Sequence, residues 1–147
     1  MPLPSALPRA RLARAVVLGL LALCLGAAPG VPPGEKSLQG VMQGLKDKLK
    51  ELTAALEAKK QDPALDAVGE MQRLVLLAKT HEPANLEDTP KAGRPAEVVA
   101  FRKDLIGLLR ELADVEVDVL DEHYDAALAK VNGQVIQMRD AGHKKYK

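Results

Sequence analysis

Leu38, Val41, Met42, Leu45, Leu49, Leu52 and Leu56 recur at intervals of three and four. Because an α-turn holds 3.6 residues, that spacing places all seven along one face of a helix. The pattern returns three more times. Leu65, Val68, Met71, Leu74, Val75 and Ala78 form a second line, and Val98, Phe101, Leu105, Leu108, Leu112, Val115 and Val119 a third. Leu128, Val131, Val135, Ile136 and Met138 form a fourth, which leads through Arg139 to His143 and the chain end. A helix with one apolar face cannot bury it alone, so the four must pack on one another. The expected fold is all-α, an antiparallel up-down-up-down four-helix bundle. Aromatics are only 2% of the chain, with no Trp, and sheets draw on aromatic and β-branched residues.

The punctuation fits. Ser37 suits an N-cap, and the first helix should reach about Lys59. Before it, Val31-Pro32-Pro33-Gly34 reads as a non-helical linker. At Gln61-Asp62-Pro63 the chain breaks, with Asp62 placed to cap and Pro63 to take the first helical position. The second helix should end near His81. Glu82 to Arg94 is a loop carrying Pro83, Pro90 and Gly93, long enough to lie across one end of a bundle. Pro95 opens the third helix. Val115, Val117 and Val119 alternate as a strand would, but the preceding three-and-four spacing favours helix. The last break lies between Asp121 and Tyr124, with Asp121 or Asp125 as candidate cap.

Residues 1–28 have the layout of a secretory signal. Arg9, Arg11 and Arg14 form a basic start, Ala15 to Leu25 an apolar run, and Gly26-Ala27-Ala28 a small-residue cleavage region. The expected organisation is therefore a signal peptide over 1–28, a linker over 29–36 and the bundle over 37–147. Export is expected, with no stable membrane association after cleavage, because the run is short for a membrane span. The chain holds 21 Lys and Arg against 20 Asp and Glu. Three of the basic residues are in the leader, so the mature chain carries about −2. A near-neutral domain so poor in aromatics is a poor nucleic-acid binder. Cys24, the only cysteine, lies in the leader. The mature chain thus has no disulfide, no thiolate chemistry and no C-x-x-C-H for covalent haem attachment.

Two side chains of metal-ligand type then stand out. In such a bundle the first and last helices are neighbours and their outer ends meet. Met42 lies five residues after Ser37 and His143 four residues before Lys147, so both sit about 6–8 Å inside one end at ~1.5 Å per residue. A thioether and an imidazole are a Met/His axial pair for haem iron, a ligation that favours the ferrous state and fills both axial positions. Arg139, one turn before His143, could reach a haem propionate, and Phe101 could pack on the porphyrin. Each residue also has a plain role: Met42 as core filler, His143 as a solvated terminal residue, Arg139 as a surface charge, Phe101 as core.

Three stretches resemble the cytochrome b562 family of soluble periplasmic b-type cytochromes. They are Leu38 to Leu49 with Met42 four residues after Leu38; Pro83 to Arg102 with Leu86-Glu87-Asp88 and Phe101-Arg102; and the ending from Arg139 through His143 to Lys144, Lys145, Tyr146 and Lys147. The resemblance covers about the last 110 residues. It implies a non-covalent haem b held by Met42 and His143 as axial ligands, with Arg139 and Phe101 beside it. It further implies one-electron transfer to partner proteins, with no enzymatic activity of the chain's own. The sequence departs from the family at Gly142 and Leu105, where aromatic residues are usual. A small bundle with polar outer faces is expected to be a monomer. The competing reading is an exported bundle without haem, acting as a binding or stress-related protein. A di-iron bundle needs two Glu-x-x-His motifs, and Asp140-x-x-His143 stands alone. His81 and His123, with acidic neighbours but no nucleophile, read as solvated residues at helix ends.

Overall fold

The computed structural model describes residues 33–146. The signal-peptide reading and most of the linker lie outside the described residues. Those described are helical, with no strand among them. The order is a 3-10 turn (Pro33–Lys36), α1 (Leu38–Glu57), α2 (Gln61–Ala78), a 3-10 turn (Ala84–Leu86), α3 (Arg94–Leu120), α4 (Tyr124–Lys130), a π-helical turn (Val131–Val135) and α5 (Ile136–Tyr146). The last three are continuous and make the fourth helix over 124–146. No described helix is long and apolar enough to cross a membrane.

The four apolar lines meet in one core. Val41, Leu45, Leu49, Leu52 and Leu56 from α1 join Val68, Met71, Leu74 and Val75 from α2. Phe101, Leu105, Leu112, Val115 and Val119 from α3 join them, with Ala127, Val131 and Val135 from the fourth helix. Among the described residues no polar or charged residue is buried. Each buried Leu or Val contributes about 1.5–3 kcal/mol. An exposed ion pair such as Lys50–Asp47 is screened by solvent and contributes far less, so the apolar faces dominate the energetics.

Polar contacts set which ends adjoin. Gln61 at the start of α2 donates to the carbonyls of Val119 (3.0 Å) and Leu120 (3.3 Å) at the end of α3. Those carbonyls belong to the last turn of a helix, so Gln61 caps α3 from outside, beside the Glu122 amide on Val119. Gln72 farther along α2 reaches Glu116 at 2.6 Å. Lys130 pairs with Asp118 at 2.7 Å, and Tyr146 donates to Asp104 at 2.6 Å. Lys59 beyond α1 meets Asp125 at the start of α4, 3.5 Å apart.

Several helix ends differ from expectation. Ser37 does cap α1, its Oγ accepting from the Gly40 amide at 3.2 Å. The segment from Pro33, expected to be non-helical, forms a 3-10 turn, since proline suits a first helical position. It folds back so closely that a Cβ at Gly40 would collide with the Gly34 carbonyl, and Glu35 pairs with Arg73 of α2 at 2.6 Å. α2 starts at Gln61 with Lys60 at the cap position, so Asp62 does not cap it. Asp62 instead places its charge in the first turn, where the helix dipole favours an anion. Neither Asp121 nor Asp125 caps α4. Asp121 ends α3, His123 holds the cap position without a side-chain bond, and Asp125 faces Lys59.

Both joints at this end close by the same device. The Lys60 amide bonds to the Ala55 carbonyl and the Lys59 amide to Leu56; the His123 amide bonds to Asp118 and the Glu122 amide to Val119. This paired pattern requires a left-handed residue, normally glycine. Here Lys59 (φ 52) and Glu122 (φ 59) fill it.

Candidate functional site

Met42 is half-buried against the core. Its flank follows from Gly44, where a Cβ would lie 3.2 Å from a Leu74 methyl of α2. Two residues are about 200° of helix, so Met42 lies on the flank of α1 turned away from α2. α1 packs against α2 and, on its other side, against α4.

His143 is exposed. Its flank follows in the same way from Met138, whose methyl lies 3.5 Å from a Cβ placed at Gly107 of α3. Five residues on, about 140° round, His143 lies on the flank of α5 turned away from α3. Seven residues before it on the same line is Ile136, which packs on the core. The His143 imidazole makes no hydrogen bond or ion pair among the described residues.

The other candidates divide. Phe101 is 2% exposed and belongs to the core. Arg139, on the His143 side of α5, is exposed and pairs with its neighbour Asp140 at 2.8 Å. The guanidinium is thus occupied, by a contact between exposed groups that is worth little and readily exchanged. His81 departs from the solvated reading: it is half-buried, and its Nε2 is buried without a hydrogen-bond partner among the described residues. His123 is exposed.

The α5 end contains a cluster that sequence reading passed over. Tyr146 is buried and meets Phe101 edge-on, ring centroids 4.9 Å apart. Its hydroxyl donates to Asp104, which also receives Lys145 at 3.1 Å. Burial works against ionisation of Asp104, but the bonds from Tyr146 and Lys145 outweigh it and hold the carboxyl below its usual range. Burial, then the Asp104 hydrogen bond, pushes the Tyr146 hydroxyl up. Asn85 in the long loop donates to the Lys145 carbonyl at 3.0 Å and so caps α5. Phe101, Lys145 and Tyr146 stand out in the sequence, but nothing there pairs them with one another or with Asp104.

The π turn sets the facing of this whole end. A π turn closes i→i+5 bonds and holds one residue more than an α-turn. It therefore turns α5 back by most of one residue's 100°, keeping Val135 and Tyr146 on the core side along with Ala127 and Val131.

Two shallow hollows lie elsewhere. One is a shallow groove along α1 and α2 lined by Glu51, Ala55, Ala58, Pro63 and Ala67, and the other lies around Lys59, His123 and Tyr124. Among the described residues, no group of three or more His, Cys, Asp or Glu is placed to hold a metal ion. A scan against protein-family models finds no match, and a search of curated proteins finds no relative.

Proposed function

We propose that this chain is an exported electron-transfer protein of the periplasm, an antiparallel up-down-up-down bundle binding one non-covalent haem b between Met42 and His143. The observation that carries this reading is the pair of flanks together with the Lys59–Asp125 contact. With helices alternating in direction, that contact serves as a common origin. Met42 lies 17 residues before Lys59 and His143 lies 18 after Asp125, each about 26 Å away at ~1.5 Å per residue. The lower rise of the π turn absorbs the extra residue. The two side chains then share one level on facing flanks.

The donor set suits the group. A half-buried thioether and an unengaged imidazole make a Met/His pair for six-coordinate iron. Side chains on an α-helix lean towards its N-terminus, so Met42 leans towards the open end and His143 inwards from it. α5 leans on α3 and on the Ala84–Leu86 turn, and α1 on α2 and α4. The α1–α5 flank is therefore the side where a planar group can enter without breaking a packed helix pair. When bound, the haem would supply one-electron exchange. The chain would supply both ligands, the apolar wall around Phe101, and Arg139, which must leave Asp140 to meet a propionate.

The test is a titration of the purified protein with haemin, recorded oxidised and dithionite-reduced. Sharp α and β bands on reduction are expected, lost in both Met42→Ala and His143→Ala. Absorbance of free haemin alone, or variants identical to the wild type, overturns the reading. The second reading, an exported bundle without haem, draws on the exposure of His143 and on the Phe101–Tyr146 contact, which closes this end with its own residues. It is the outcome if that titration fails.

A further inference from the structure

α3 has two apolar lines where a peripheral helix needs one. Phe101, Leu105, Leu112, Val115 and Val119 face the core. Val99, Ile106, Val117 and Leu120 lie about 100–160° round the helix from them and are 51%, 36%, 53% and 56% exposed. Together with exposed Ala113, they recur as 99, 106, 113, 117 and 120. Isolated apolar residues on a surface are ordinary. Four of the six large exposed apolar side chains among the described residues fall on this one line, so the line needs an occupant. The alternation of Val115, Val117 and Val119 is a consequence: Val117 faces outwards.

The charges beside the line indicate which occupant. Arg102 and Lys103 are exposed in its first half, and Arg110 and Asp114 in its second. None of the four is in an ion pair among the described residues. Val99 and Val117, and Ile106 and Arg110, are two pairs with a common midpoint, Leu108, and Lys103 and Asp114 lie five residues before it and six after it. A second α3 running the opposite way about that midpoint sets Val99 against Val117 of the second copy. It sets Lys103 against Asp114 of the second copy, since both lie on the same edge of the line, and Ile106 beneath the aliphatic stem of its Arg110. That arrangement is self-complementary, as a two-fold interface requires.

We infer that the outward face of α3 is a self-association surface, on which two copies pack α3 against α3 in antiparallel, with Asp114 paired to Lys103 across the two-fold axis. This replaces the monomer expected from sequence and does not depend on the haem reading. The test is sedimentation equilibrium of the purified protein and of exposed-site variants, each checked for unchanged helicity. A concentration-dependent monomer–dimer equilibrium is expected. Asp114→Lys alone, and Lys103→Asp alone, should each weaken it about tenfold or more, because like charges then face one another. Both changes in one chain should restore it. A wild-type protein that stays monomeric up to about 1 mM, the weak end of specific association, overturns the inference. So does a dimer indifferent to the charge reversals, or one that the double variant fails to restore.

Discussion

Tyr146 meets Phe101 edge-on with ring centroids 4.9 Å apart, joining the last described residue of the fourth helix to the first half of α3. The contact anchors the last turn of α5 on α3. Tyr146→Ala should cost about 3 kcal/mol or somewhat less, since an aromatic side chain leaves the core edge. Tyr146→Phe should cost about 1 kcal/mol, the hydrogen bond to Asp104 alone. Urea unfolding of both variants separates the ring from the hydroxyl. Equal losses would mean that the ring contact contributes nothing.

Asp104 makes stability depend on acid pH. Its carboxyl is held below the usual range when folded, so its contribution is complete above the unfolded carboxyl value near pH 4 and is lost as pH falls through the folded value. Asp104→Asn should therefore lose less stability than the wild type between about pH 5 and pH 2. Parallel melting curves across that range would contradict the pairing.

Tyr146 acts at the other limit. Its hydroxyl is raised above its ordinary value, so the protonated form is favoured by folding. That contribution is complete below about pH 10 and is lost as pH rises past the folded value. In a Tyr124→Phe background, the phenolate absorbance should appear above the ordinary tyrosine range, and Asp104→Asn should bring it down. Titration at the same pH with and without Asp104 would show that the carboxylate is not its partner.

Glu122 holds a left-handed conformation in which a side chain is strained by about 1–2 kcal/mol. Glu122→Gly should stabilise the protein by about 0.5–1 kcal/mol, the strain relieved less the entropy that glycine brings to the unfolded chain. Lys59→Gly should give less, because it also removes the contact with Asp125. Denaturant midpoints rank the two, and a destabilised Glu122→Gly would show that its side chain has a role of its own.

Two helical glycines should respond oppositely to alanine. Around Gly69 a Cβ meets open space, and Gly69→Ala should gain about 1 kcal/mol of helix propensity. At Gly40 the Cβ meets the Gly34 carbonyl, so Gly40→Ala should forfeit that gain by displacing the 3-10 turn and its Glu35–Arg73 pair. Thermal melts compare them, with Gly40→Ala,Arg73→Ala reporting how much of the loss runs through the pair.

Much of the fold was legible because helix period and burial share one physical cause. The residues at three-and-four spacing are those a helix turns to one side, and Leu45, Val68, Leu112 and Val131 are all buried. The ends were less legible. Asp62 and Asp125 carry the right chemistry for capping, but local preference yields to contacts that sequence does not pair. Gln61 caps α3 from 58 residues away, and Asn85 caps α5 from 60. The π turn left no mark either, since Asn132 and Gly133 are tolerated in any exposed helix and only the packing of both halves of 124–146 demands the extra residue.

At the candidate site, the amino-acid types and their places along the helices were determined by the sequence alone. A thioether near the start of α1 and an imidazole near the end of α5 follow from position and period. Which way those side chains turn was decided only by tertiary structure. Gly44 against Leu74 and Met138 against Gly107 orient the flanks, Arg139 settles on Asp140, and Tyr146, a terminal polar residue in sequence, goes into the core. The same holds for α3, whose second apolar line is read from the sequence, while its exposure is known only once the other helices have taken their places. The physical reason is that periodicity is a property of one chain segment about its own axis. Facing is a relation between segments, set by which of them can pack without collision.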